Sequence, residues 1–228
     1  MTKPEGPYFG RDYLGFLKEL ERNNNREWFN GNKRRFEDDV QASSVRFVSD
    51  AAVQLRKISP TVVAVPKPFG GSVMRIYRDT RFSKDKRPYN THVGIHFWHA
   101  DSGNGKQSYP GYFLHVEPGE TRVYAGVWRP EGAALKGVRD RIATRPAEWK
   151  KAVNPVEFMI GEALKRPPPG YDASHPLIED IKRKDFVGGI RFSDRQVSSA
   201  AFISDFVGAC RSLAPFNAFL GKAIGARW

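Results

Sequence analysis

The side chains with the most evident capacity for chemistry lie between Arg75 and Tyr89, in the run RIYRDTRFSKDKRPY. Arg75, Arg78, Arg81, Lys84, Lys86 and Arg87 supply positive charge, and Asp79 and Asp85 are the only carboxylates among them. Arginine carries a planar guanidinium fork that grips carboxylates and phosphates in pairs of hydrogen bonds. Three arginines at a spacing of three, beside aspartates and a tyrosine, therefore describe one of two things. One is an anion site in which Arg75, Arg78 and Arg81 supply charge, Asp79 orients an arginine, and Lys86 and Tyr89 complete the shell. The other is an internal Arg/Asp network that fixes a loop at a desolvation cost.

Histidines come next. His92, His96 and His99 are close in sequence, but VGIHFW around them reads as a strand. At ~3.3 Å per residue, His92 and His96 stand ~13 Å apart, too far to share one ion. A cross-strand metal site would need His115 and Glu117, and the expectation is no metal and no cofactor. No G-x-S-x-G nucleophile elbow is present. Gly70-Gly71-Ser72 lacks the spacing and the Lys-Ser/Thr ending of a phosphate loop. His92, His96 and His115 remain candidates for ligand contact or proton transfer.

These residues need elements to hold them. Tyr13–Glu21 has Leu14, Leu17 and Leu20 at helical spacing, with Asp12 as a cap. Gly31-Asn32 leads into a long helix whose apolar face is Phe36, Val40, Phe47, Val48, Ala51, Leu55 and Ile58, ended by Pro60. From about residue 72 the period becomes two, which predicts strands at Ser72–Asp79, Thr91–Trp98, Gly111–Glu117 and Thr121–Trp128. Pro118-Gly119-Glu120 reads as a hairpin turn, and DSGNGK at 101–106 as a flexible connection. Helices return at 131–144, from Pro146, and at Ser198–Leu213, where Pro215 closes the last one.

Alternation divides the sheet into two faces. Met74, Ile76, Val93, Ile95, Phe97, Tyr112, Leu114, Val116, Val123, Ala125 and Val127 form the core side, under the long N-terminal helix. Arg75, Tyr77, Asp79, His92, His96, Trp98, Phe113, His115, Glu117, Arg122, Tyr124 and Trp128 form the other, a mixture typical of a lined pocket or a stacking platform. The expected fold is α+β: a mostly antiparallel sheet of about four or more strands, a long N-terminal helix and C-terminal helices. One domain over 1–228 is expected, helical over about 12–60 and 131–228, with the sheet over about 70–128.

With 40% apolar and 13% aromatic residues, the chain of 228 can fill a core, which excludes global disorder. Its net charge of +12 favours acidic partners. Two stretches hold most of the excess: 66–90, with seven cations against two carboxylates, and 129–151, with seven against three. Cys210 is the single cysteine, which rules out an intrachain disulfide. MTKPEGPYFGRDY has no hydrophobic targeting core, and no apolar run reaches membrane-span length. A cytoplasmic protein without a membrane partner is the expectation.

The arginine-rich segment also resembles an uncharacterised, mainly bacterial family, domain of unknown function 2461. The family pattern R-x-x-R-D-x-R-F, followed by D/N-K-x-x-Y, is matched by Arg75, Arg78, Asp79, Arg81 and Phe82, then Asp85, Lys86 and Tyr89. Gly70-Gly71-Ser72, Tyr112-Phe113-Leu114 and Tyr171 to Phe186 extend the resemblance over nearly the whole chain. It implies one domain of about this size and brings no activity, substrate or cofactor. The sequence thus points to a small anionic (phosphorylated or carboxylated) ligand held by Arg75, Arg78, Asp79, Arg81, Lys86, Tyr89, His92 and His96. A nucleic-acid partner on a basic, aromatic sheet face (Tyr77, Trp98, Phe113, Tyr124, Trp128) is the alternative.

Overall fold

In the structure, a computed structural model that describes residues 6–103 and 108–228, a six-stranded antiparallel sheet carries helices on its apolar side. The N-terminal helix α1 is Arg11–Arg22, one turn longer than its leucines alone require. Asp12 lies in its first turn rather than capping it, and Gly10 is the cap residue. After α2 (Arg26–Gly31), capped by the Asn25 side chain accepting from the Trp28 N–H, a rod α3 runs over 33–56. Its second turn, Phe36–Gln41, is π-helical. The wider turn resets the helix phase, so that Val40, Ser44, Phe47, Val48, Ala51 and Leu55 are buried. Of the apolar face expected there, Phe36 and Ile58 end up half-buried.

The strands are β1 (Val62–Val63), β2 (Val93–His99), β3 (Gly111–Val116), β4 (Arg122–Val127), β5 (Phe158–Ile160) and β6 (Phe186–Arg191), in the order β1-β2-β3-β4-β6-β5. The β2-β3-β4 meander follows the alternation in the sequence, and Gly119, at φ +79°, makes the β3–β4 turn. The β2–β3 connection expected at 101–106 lies in part outside the described residues. Two strands come from the 131–228 part of the chain expected to be helical. β6 pairs with β4 along six residues, and β5 caps its outer edge.

Ser72–Asp79 is not a regular strand. Its first residues run beside β2, with the Met74 N–H donating to the Gly94 carbonyl and the His96 N–H to that of Ser72. Val73 and Ile76 are both buried, and an inward spacing of three breaks a period of two. Met74, expected in the core, is therefore 55% exposed on the opposite side. Beyond it the chain forms an arm: the Arg78 N–H donates to the Pro88 carbonyl and the Asn90 N–H to that of Ile76, closing residues 78–88 into a loop.

Helices α4 (Gly132–Thr144), α5 (Pro146–Val153), α6 (Ile178–Ile181) and α7 (Asp194–Val197) follow, the last with a Ser193–Gln196 capping box. The final helix α8 is Phe202–Ala223, and Pro215 lies inside it. The proline withholds one N–H from the ladder, but it lies on the exposed side beside exposed Arg211, where water can reach the freed carbonyl. α8 shares the cover of the core face with α3. Phe206 meets Phe97 at 5.4 Å and Phe47 at 5.2 Å, the Tyr112 hydroxyl donates to the Cys210 carbonyl, and Asn217 donates to that of Gly111. Cys210 is fully buried in that interface, where burial pushes its thiol up.

Candidate functional site on the outer sheet face

The arm carries most of the residues singled out by type and spacing, and it turns their charges on one another. Asp79 receives Arg81 through both carboxylate oxygens, at 3.0 and 2.7 Å, and also accepts the Arg81 backbone N–H. The expected bidentate pair thus forms within the loop. Asp85 accepts Arg78 at 2.7 Å and Arg87 at 2.9 Å, and Lys86 donates to the Thr80 carbonyl. Hydrogen bonds from Arg81 hold the Asp79 carboxyl below its ordinary range, and those from Arg87 and Arg78 hold Asp85 lower still. Arg75 is exposed, and its side chain makes no ion pair among the described residues. It borders a small hollow of about 40 Å³ with Phe69, Met74 and Tyr77.

Tyr89 anchors the arm. Its ring is buried and stacks on Phe29 at 4.1 Å and 18°. The Asn24 side chain donates to the Tyr89 carbonyl and accepts from its N–H, matching both backbone groups at once. The Tyr89 hydroxyl makes no hydrogen bond to any described residue, and burial raises its pKa.

On the outer face of the sheet, register lines up one ring from each of several strands. His96 of β2 pairs with Phe113 of β3, which pairs with Tyr124 of β4, and Tyr124 faces Gly189, which faces Phe158 of β5. Neighbouring rings lie 5.7–6.3 Å apart. Gly94 makes room for the row, because a Cβ there would come within 2.6 Å of the Phe113 ring. One step along, Gly111 and Gly126 pair, so bare backbone forms the floor. Gly126 must be glycine: its φ is +124°, and a Cβ would meet the Phe186 carbonyl oxygen at 1.9 Å.

Over this floor opens a cleft of about 1020 Å³. Its walls include His96, Tyr109, Phe113, Tyr124, Trp128 and Arg129. Trp128 is 50% exposed, and the Arg129 guanidinium lies 5.9 Å from its ring centre. Arg129 sits at φ +48°, an uncommon conformation for a residue with a Cβ. The buried Asp185 carboxylate accepts the Arg129 N–H on one oxygen and that of Glu162 on the other, holding this rim in place. Burial lowers the basicity of His96.

His115 also lines the cleft and leads to a second group at its side. Its ring stacks on His92 at 4.2 Å, and its Nε2–H donates to Glu117 Oε2 at 2.8 Å. The other carboxylate oxygen accepts the Thr91 hydroxyl at 2.9 Å. One ligand atom from each of His92, His115 and Glu117 lies within 4.8 Å of the others. The β2–β3 register explains the meeting: Val93 pairs with Val116, so the residues flanking that pair, His92 and Glu117, come side by side. Spacing along one strand separates His92 from His96, whereas pairing between strands brings His92 to His115. Burial first, and then the neighbouring His115, push the His92 pKa down to about 4, with Arg78 acting in the same sense and Glu117 opposing. For Glu117, burial would raise the pKa, but the hydrogen bonds from His115 and Thr91 outweigh it.

Of the residues expected to share one anion site, the structure therefore keeps Arg75, Arg78, Asp79, Arg81, Lys86 and Tyr89 on the arm. It places His96 in the ring row and His92 in the histidine group. Thr91, Tyr109 and Arg129 join the face without having been singled out by sequence. Among the described residues, no helix is long and apolar enough to cross a membrane.

Searches of curated proteins and of solved structures found no match to this chain. One family model does match it, over residues 12–219, and its description is conserved hypothetical protein (DUF2461). That span takes in α1, the whole sheet, the arm and most of α8, so the chain belongs to the DUF2461 family.

Proposed function

We propose that this protein binds a small anionic ligand with a flat apolar part, a carboxylate or phosphate ester, in the cleft on the outer sheet face. The observation that carries the reading is the cleft of about 1020 Å³, walled by aromatic rings with Arg129 at its rim. Sites for small ligands combine apolar walls with a few fixed polar groups, and Tyr124, Phe113 and Trp128 supply walls while His96 and Arg129 supply polar ends. The net charge of +12 favours an anion. The arm is the weaker seat, since Arg78, Arg81 and Arg87 already hold carboxylates of their own loop.

The test is a binding screen with aromatic carboxylates and phosphate monoesters, read by calorimetry. Replacing an aromatic anchor such as Tyr124 or Trp128 by Ala should weaken the best probe by about tenfold or more. Arg81→Ala should change it by less than about twofold, because its charge is spent on Asp79. The opposite ranking would move the site to the arm.

A nucleic-acid partner is favoured by one specific feature, the row His96, Phe113, Tyr124 and Phe158, with the Arg191 guanidinium 4.2 Å from the Phe158 ring centre. Such a row could stack successive bases of a single strand. Single-stranded RNA or DNA binding that weakens steeply with salt would establish that reading. No binding at low salt would remove it.

A further inference from the structure

We propose that His92, His115 and Glu117 bind a divalent first-row transition ion at the side of the cleft. Two imidazoles and one carboxylate form the donor set used by three-ligand zinc sites and by facial-triad iron(II) sites. Here His115 projects from β3, and His92 and Glu117 flank the Val93–Val116 pair that ends the β2–β3 ladder. Their ligand atoms already lie within 4.8 Å of one another. Donors about 2.1 Å from a tetrahedral ion stand about 3.4 Å apart. The 2.8 Å His115–Glu117 hydrogen bond must open only slightly as the ion replaces its proton.

Two further features fit an ion. Neither ring nitrogen of His92 hydrogen-bonds to any described residue, although the ring is half-buried, so a lone pair is available at the cluster. Thr91 holds the second oxygen of Glu117 and fixes the carboxylate, as outer partners of metal ligands do. His115 belongs both to the cluster and to the cleft wall, so a bound ion would lie at the side of the cleft. An anionic ligand there would gain a direct partner. Ion binding itself stands apart from the proposed ligand and is measured without one.

The experiment uses the full chain, stripped of metal with a chelator and dialysed, and titrated with Zn²⁺ by calorimetry and with Co²⁺ by visible absorption. One equivalent is expected to bind, with a cobalt d–d band of low coordination number. His92→Ala and Glu117→Gln should each weaken Zn²⁺ binding at least tenfold and change the cobalt band. Thr91→Val should weaken it about 10–100-fold, acting only through Glu117. His175→Ala, a histidine outside both the cluster and the cleft, should bind as the parent does. A melt without metal confirms that each variant is folded, and Glu117→Gln, nearly isosteric, keeps the test open should a histidine variant fail. Absence of one-equivalent binding, or His92→Ala and Glu117→Gln binding like the parent, would overturn the proposal.

Discussion

The arm and the outer sheet face hold the same kinds of side chain to opposite effect. On the arm, Asp79 and Asp85 sit within a few residues of Arg81, Arg87 and Arg78, and each carboxylate closes on a neighbour in its own loop. On the sheet face, His96 and Tyr124 are fixed by strands, with Trp128 just past the end of β4, yet all three line an open cleft. A dense run of charge can thus close on itself when opposite charges lie two residues apart. Strand pairing instead fixes side chains while leaving polar ends open. The family shown for the chain covers both regions and so does not choose between them.

The largest effect that would sharpen this contrast is on stability. Tyr89→Ala removes a buried ring stacked on Phe29 and should lower the unfolding free energy by about 3–5 kcal/mol in denaturant melts. Tyr89→Phe should stay within about 0.5 kcal/mol and leave probe binding unchanged, because the hydroxyl bonds to no described residue. A Tyr89→Phe protein that folds normally but loses an anionic probe would make the arm a site after all. Asn24→Ala, which breaks both side-chain bonds to the Tyr89 backbone, should cost about 1–3 kcal/mol by the same melts. It too should leave the cleft unaffected.

The smallest effect concerns pH. Asp85 has its carboxyl depressed by hydrogen bonds from Arg87 and Arg78. A group whose folded pKa is lowered contributes stability that is present above its unfolded value, about 3.9, and lost as pH falls through the folded one. The pairs are exposed, so the global melt should shift little. The local signal is sharper: the amide resonances of Arg81 and Arg87, whose N–H groups bond Asp79 and Asp85, should titrate below the ordinary carboxylate range. Titration at the ordinary carboxylate value would mean that the arm network is not formed.

Where local chemistry decides the structure, the sequence is readable. The β3–β4 hairpin follows from alternation on both sides of Pro118-Gly119, and the inward residues Val93 to Val127 are buried as the period requires. Elements that depend on distant partners are not. Phe158–Ile160 is only three residues long, and FVGGIR at 186–191 carries two glycines that argue locally against a strand. Both form because β4 has an open edge to fill. Pro215 marks a helix end by local rules, yet α8 passes through it because its other face is buried against the sheet. Of the site, the mixed outer face is visible in the alternation. The meeting of His92 with His115 is not, because it depends on the β2–β3 register across a long connection. The pairing of the arm is half legible: its opposite charges are adjacent, but which arginine takes which aspartate depends on the loop's path.

The central claim, that the outer sheet face rather than the arm receives the ligand, is tested most directly by a crystal structure of the protein soaked with the best aromatic carboxylate or phosphate monoester from the screen. The account predicts the probe over the Gly111–Gly126 floor, its ring against Tyr124 or Trp128. A probe held instead by Arg75, Arg81 and Lys84, with the Asp79–Arg81 pair opened to receive it, would contradict the account.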